Sequence, residues 1–318
     1  MVIDDPRTIG ICGLGQIGLA LGLACYRSGY RVLLYGRDTR RLAPARRELL
    51  RLDEWMKREF PEQRPENGEI EFTSILSELN DEADLIVEGI AEDLEAKIQL
   101  LSSLAGAAAR GAVLCSSTSG LSISEMGRRT GFGSRLAGTH FWNPPHLMPL
   151  VEVIAGAETS EQTLEITMAF CRRIRKRPVR VNVDAPGFIG NRLLHAMWRE
   201  AIDIVERGIA APEDVDLVAK MTFGLRLPVL GPLENMDLVG LDLIYSIHEN
   251  LLAQLANNTT PGYLLQEMVS KRHFGMKAGF GFYDWGKRNP ASLIEARDRQ
   301  IVRELRRLAR EDGSSGTE

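Results

Sequence analysis

From Thr8 onward the chain alternates short apolar runs with longer amphipathic ones. Thr8–Cys12, Arg31–Tyr35, Leu85–Glu88 and Ala112–Ser116 have the length and near-continuous hydrophobicity of buried strands, and Leu150–Ile154 shares that character. Between them, Leu19–Ser28, the charged stretch Arg40–Phe60 and Leu94–Ala109 read as helices, with a loop at Glu66–Gly68. Ser122 with Glu125, and Thr159 with Gln162, are spaced as capping boxes that open two more helices. This alternation predicts a mostly parallel, doubly wound α/β sheet of Rossmann type.

After Pro186-Gly187 only helical periodicity remains. It gives a run from Phe188 to Glu206 ended by Gly208, a helix started by Pro212, another over Asp242–Ala256, and a charged helix over Leu293–Arg310. The expected organisation is an α/β domain over residues 1–184 and an all-α domain over 185–318, with a disordered tail after Asp312.

Composition narrows the class without naming it. A chain of 318 residues, 44% hydrophobic, is long enough for two cores, and its net charge of −4 argues against nucleic acid as the main partner. The opening Met1–Asp5 carries two acids and no apolar core, so no signal peptide is expected, and no stretch reads as a membrane span. Cys12, Cys25, Cys115 and Cys171 lie far apart and read as buried free thiols in a reducing, cytoplasmic compartment. His248 and His273 lack partners at ligand spacing, so no metal site is expected. The basic run Arg172–Arg177 reads as cations at a helix C-terminus.

Chemistry enters at the first strand. Gly13-Leu14-Gly15-Gln16-Ile17-Gly18 follows that strand and opens a helix, the context in which a glycine triplet binds a dinucleotide. Gly13 permits the tight turn, Gly15 lets backbone N–H groups approach a pyrophosphate, and Gly18 allows close helix–strand packing. At the end of the second strand, where an acidic residue usually reads the adenosine ribose, stand Gly36 and Arg37. A guanidinium there suits a 2′-phosphate, so the expected cofactor is NAD or NADP with a lean toward NADP; in the alternative, Arg37 is solvated and Asp38 reaches the ribose. Further along, His140 precedes Glu152 by twelve positions, and Glu152 lies within an apolar run. A carboxylate buried there needs a partner, and an imidazole whose tautomer it fixes makes His140–Glu152 a general base with its orienter.

Eight ordered motifs carry a family resemblance. They are Gly13-x-Gly15-x-x-Gly18, Val87-Glu-Gly-Ile-Ala-Glu92 with Lys97, Ser-Ser-Thr-Ser119-Gly-Leu, Gly138-Thr-His140-Phe-Trp-Asn143-Pro, Leu150-Val-Glu152-Val-Ile, Pro186-Gly-Phe-Ile-Gly-Asn191-Arg, and the pair Gly231-Pro-x4-Asp237 and Phe274-Gly-Met-Lys-Ala-Gly-Phe-Gly-Phe-Tyr-Asp284. In these the chain resembles the 3-hydroxyacyl-CoA dehydrogenase family, whose C-terminal domain is of the 6-phosphogluconate-dehydrogenase type. The resemblance implies that His140 and Glu152 form the catalytic pair, with Ser119 and Asn191 completing the site by hydrogen bonds to the reacting oxygen. It also implies that Glu92 and Lys97 lie near the nicotinamide half of the cofactor and that the helical domain forms a homodimer. Asn143 either braces its loop or meets the ligand.

The chain departs from the family pattern in places. Ser117 and Gly120 replace an asparagine and a serine usual around Ser119, and the arm after the second strand, which grips the CoA nucleotide in acyl-CoA enzymes, is shorter than usual. Asn143-Pro-Pro-His146 resembles a branch acting on small polar alcohols or aldehydes, in which Trp142 and His146 would shape the pocket. His195 falls one helical turn after Asn191, and Arg46, Arg47 and Arg51 share a charged helix. Three readings stand: an NAD(P)-dependent dehydrogenase of 3-hydroxyacyl-CoA, a same-fold dehydrogenase of a small carboxylated alcohol or aldehyde, and a non-catalytic dinucleotide-binding protein.

Overall fold

The computed structural model describes residues 5–63, 65–66 and 68–314, with side chains through Glu311. It divides into two compact units, Met1–Asn191 and Arg192–Glu318. The division falls after Asn191, and residues 189–191 hydrogen-bond to Glu152 and to the Ser119 carbonyl.

Among the described residues the first unit holds β1 (Thr8–Cys12), β2 (Arg31–Tyr35), β3 (Glu69–Thr73), β4 (Leu85–Glu88), β5 (Val113–Ser116), β6 (Leu136–Phe141), β7 (Leu150–Ala155) and β8 (Arg177–Val181). They form one sheet in the order β3-β2-β1-β4-β5-β6-β7-β8, parallel throughout except for the β6–β7 pair. Around it run α1 (Gln16–Arg27), α2 (Leu42–Glu59), α3 (Leu76–Glu82), α4 (Leu94–Ser103), α5 (Ala105–Arg110), α6 (Ile123–Thr130) and α7 (Glu161–Arg173). Because strand side chains alternate, Ile9, Ile11, Val32, Leu34, Val87 and Cys115 feed one core, while Leu33, Ile86 and Leu114 feed another. A sheet apolar on both faces must be covered by helices on both, hence the double winding.

The sequence did not announce β3, β6 or β8. β3 and β8 are edge strands with exposed, charged positions, and β6 is fully buried but carries Gly138, Thr139 and His140 in place of an apolar run. The expected helix Leu94–Ala109 breaks at the fully buried Leu104 into α4 and α5. Ser122 does cap α6, its Oγ accepting from the Glu125 N–H at 3.1 Å, but the Glu125 carboxylate turns to Arg128. For α7 the cap is Ser160, one residue later than expected, because Thr159 Oγ1 instead donates to the Leu136 carbonyl at 2.6 Å. The basic run ends α7 at Arg173, passes Arg175 at a φ of +60°, and enters β8 at Arg177.

The helical unit comprises most of α8 (Gly190–Glu206), then α9 (Pro212–Met221), α10 (Phe223–Arg226), α11 (Pro232–Val239), α12 (Leu241–Leu251), α13 (Tyr263–Ser270) and α14 (Pro290–Ser314). Among the described residues from Gly190 to Ile301, none is buried. α14 runs past Asp312, where a disordered tail was expected; residues 315–318, the opening Met1–Asp4 and Asn67 of the expected loop lie outside the described residues. No described helix is long and apolar enough to cross a membrane, and no cluster of three metal-ligating side chains occurs among the described residues. All four cysteines are free, and burial pushes their thiols well above the ordinary value.

Candidate active site

The order of strands reverses between β1 and β4, and the loops at their carboxyl ends meet there. Gly13 adopts a φ of +123°, and a Cβ on it would lie 2.6 Å from the Gly89 carbonyl. A Cβ on Gly18 would lie 2.0 Å from the Gly13 carbonyl, so only glycine lets α1 approach its turn this closely. Gly15, the N-cap of α1, is the opposite case: a Cβ there meets nothing within 4 Å. Its side faces open space, no side chain caps the helix, and no acid lies in the first turn. The N–H groups at the start of α1 are thus left without a side-chain cap, the kind of helix N-terminus that suits an anion. Gln16 is exposed and Ile17 half-buried, whereas Leu14 packs into the core.

The His140–Glu152 pair is a product of strand register. In the antiparallel β6–β7 ladder His140 stands directly opposite Glu152, which puts both side chains on one face of the sheet. His140 Nδ1 lies 2.7 Å from Glu152 Oε2, and both residues are buried. The other oxygen, Oε1, accepts the N–H groups of Ile189 at 2.8 Å and Gly190 at 2.9 Å, where α8 begins. Burial by itself pushes the Glu152 carboxyl up; the hydrogen bonds from His140, Gly190 and Ile189 outweigh it and hold the group below the usual carboxylate value. Trp142 and Phe188 pack on the His140 ring, with centroids 5.2 and 5.7 Å away. Gly190 is required here, since a Cβ on it would lie 2.2 Å from Trp142 Cζ2.

Asn191, the next residue, donates from Nδ2 to the Ser119 carbonyl at 3.0 Å. Ser119 is exposed, and its N–H donates to Glu92 Oε1 at 2.8 Å; the same oxygen takes the Thr118 hydroxyl at 2.5 Å. The fold therefore gathers Glu92, Ser119 and Asn191 in one chain of contacts, and His140, Glu152 and the start of α8 in another, joined through residues 189–191.

Lys97, beside Glu92, is fully buried, its Nζ bonded to Glu88 Oε1 at 2.8 Å and Oε2 at 2.9 Å and lying 3.4 Å from Glu92. Glu88, which also takes the Ser116 hydroxyl, was missed in the sequence. A signal was present: Glu88 closes a buried apolar strand, as Glu152 interrupts one.

Asn143 is exposed, ahead of a cis bond to Pro144. His146 packs edge-on against Trp55 of α2, 5.2 Å between centroids. The loop they share is held from below by Lys176, unnoticed in the sequence, whose Nζ donates to the Pro145 carbonyl at 2.7 Å and the Met148 carbonyl at 2.8 Å. Arg37 is exposed at the end of β2. Asp38 is bonded by Arg40 through both its oxygens, at 2.9 and 3.0 Å. His195 packs against Trp198 within the helical unit, 4.9 Å between centroids.

Comparison with known proteins decides the family. The model of the 3-hydroxyacyl-CoA dehydrogenase NAD-binding domain matches residues 8–185, and that of the family's C-terminal domain matches residues 187–285. The chain belongs to the 3-hydroxyacyl-CoA dehydrogenase family. It is 36% identical to a probable 3-hydroxybutyryl-CoA dehydrogenase of Bacillus subtilis, over 88% of this chain and 98% of that one. It is 32% identical to the 5-formyl-3-hydroxy-2-methylpyridine 4-carboxylate 5-dehydrogenase of Mesorhizobium japonicum, over 93% and 96% of the two chains. A crystal structure of an enzyme with that activity, described as NAD+-dependent, superposes with a TM-score of 0.86, covering 97% of this chain and 98% of that one. This member of the family is an NAD(P)-dependent oxidoreductase acting on CH–OH groups.

Proposed function

We propose that His140 is the general base of the reaction, that Glu152 orients it, and that Ser119 and Asn191 hold the reacting oxygen of a secondary alcohol, in first place that of a 3-hydroxyacyl-CoA. The single observation carrying this reading is the buried His140–Glu152 pair, anchored on the backbone one residue before Asn191. A carboxylate only accepts hydrogen bonds, so the proton between the two groups resides on Nδ1 and leaves the Nε2 lone pair of His140 to take the substrate's hydroxyl proton. Glu152 then stabilises the imidazolium, while its second oxygen, fixed by two N–H groups, keeps the ring from turning. Bound at the Gly13–Gly18 cradle, the nicotinamide cofactor supplies the acceptor for the hydride of the carbinol carbon. In the reverse direction His140 returns the proton from Nε2. Such a base has no use in a protein that only binds dinucleotides.

A second substrate class is favoured by the arm. After β2 a single α2 of 18 residues leads to β3, leaving little surface to grip a CoA nucleotide, and the near-complete superposition on the pyridine-carboxylate enzyme points the same way. Turnover of acetoacetyl-CoA against a panel of small hydroxy acids and aldehydes, with both cofactors, decides between them. Efficient acetoacetyl-CoA reduction supports the first reading, and activity confined to small carboxylated substrates replaces it with the second.

The helical unit supports a homodimer. Val229, Leu233 and Leu238 are 77%, 72% and 75% exposed, and with no residue buried between Gly190 and Ile301 these helices lack a core of their own within one chain. A second copy is the partner that supplies it, and sedimentation equilibrium of the purified protein tests this.

A further inference from the structure

The end of β2 carries a charge pattern that a plain ribose does not call for. Gly36, where an acid would bind the ribose hydroxyls, is packed under the dinucleotide turn: a Cβ there would lie 2.3 Å from Leu14 Cδ1. A side chain there requires Leu14 to shift. The acid that remains, Asp38, is clamped by the Arg40 side chain and also accepts the Arg40 N–H at 3.1 Å. Its charge is thereby matched within the turn. Arg37 and Arg41 are exposed on either side of it, and both lie close enough for their charges to act on the Asp38 carboxylate. Arg41 further shares with Leu14, Arg47 and Arg51 the wall of a cavity of about 410 Å³ beside the glycine turn. The turn from Gly36 to Arg41 thus presents two guanidinium groups beyond the one that Asp38 neutralises.

We propose that this turn is a site for the 2′-phosphate of the adenosine ribose, with Arg37 the residue that makes the enzyme prefer NADP(H) over NAD(H). The proposal rests on the Gly13–Gly18 turn being the dinucleotide site. A guanidinium meets a phosphate with two parallel N–H bonds, whereas the ribose hydroxyl of NAD(H) gains little from it. Specificity follows from the difference: NADP(H) alone gains a charge-assisted contact.

Fluorescence titration of the full-length protein with NADPH and with NADH, and calorimetric titration with 2′,5′-ADP and 5′-AMP, test it. NADPH should bind about ten- to a hundredfold more tightly than NADH, the range of one charge-assisted hydrogen-bonded contact, and 2′,5′-ADP should exceed 5′-AMP alike. Arg37→Ala should erase the margin while NADH affinity stays unchanged, which also reports that the variant is folded. Raising the salt should shrink the margin in the wild type. NADH binding as tightly as NADPH, or Arg37→Ala weakening both nucleotides equally, overturns the proposal and leaves the dinucleotide site standing. Binding of neither nucleotide overturns both.

Discussion

Replacing Glu152 by glutamine keeps the size and both polar ends of the side chain and removes only the charge, so the structure dictates what the amide must do. One end faces two backbone donors, the Ile189 and Gly190 N–H groups at 2.8 and 2.9 Å, and the other faces His140 Nδ1 at 2.7 Å. The amide oxygen has to take the two N–H groups; the opposite orientation would point an NH2 at both. The NH2 then donates to Nδ1, which must be the unprotonated nitrogen, and the proton moves to Nε2. The imidazole is thus held in the tautomer that cannot accept the substrate's proton. Recovering the active tautomer means flipping the amide and losing two hydrogen bonds, at about 1–2 kcal/mol each, or roughly 2–4 kcal/mol together. At about 1.4 kcal/mol per decade, kcat should fall roughly 30- to 1,000-fold. Steady-state kinetics with either cofactor read this directly, and cofactor affinity from fluorescence titration should stay within about twofold, since the dinucleotide turn is untouched. A variant whose kcat stays within about threefold of wild type would refute the assignment of Glu152 as the group that sets the His140 tautomer.

Three further outcomes follow from the same geometry. His140→Ala should cut turnover about 100-fold or more with cofactor binding nearly intact; equal turnover would remove His140 from the mechanism. Lys97→Met leaves the Glu88 carboxylate buried beside only the Ser116 hydroxyl and the Ile90 N–H, and should cost about 3–5 kcal/mol of unfolding free energy in denaturant titration. Loss below about 1 kcal/mol would show the pair to be better solvated than its burial implies. Lys176, whose ammonium burial pushes down to about 8, binds fewer protons folded than unfolded between that pH and the ordinary lysine value of about 10.4. Wild-type stability should therefore rise across that window relative to Lys176→Met, and a difference between the two proteins that stays flat from pH 8 to 10 would remove the lysine as its source.

How much of this was readable beforehand depended on the range of the interactions involved. β1, the glycine turn and α1 were legible because each residue's reason is local: a continuous apolar run, a Gly13 of positive φ, and a Gly18 pressed on the carbonyl of a residue five positions back. The same holds for Gly208, at a φ of +68°, after α8. Edge strands were not legible, because β3 and β8 are wetted on one side and their sequence pattern is diluted by charge.

For the site, the sequence pointed to His140 and Glu152 as candidates, since a carboxylate in an apolar strand demands a partner and an imidazole is the natural one. The pairing of those two, already expected from the sequence, is brought about by the antiparallel register of β6 and β7, strands separated by the loop 142–149. Only the tertiary structure could show that Lys97 serves Glu88 before it serves any ligand, that Asp38 is spent on Arg40, and that Lys176 holds the loop after His140. Each depends on where another segment of chain comes to rest, and burial, which turns a charge from a solvated ornament into a group needing a partner, is a property of the packed molecule and of no residue by itself.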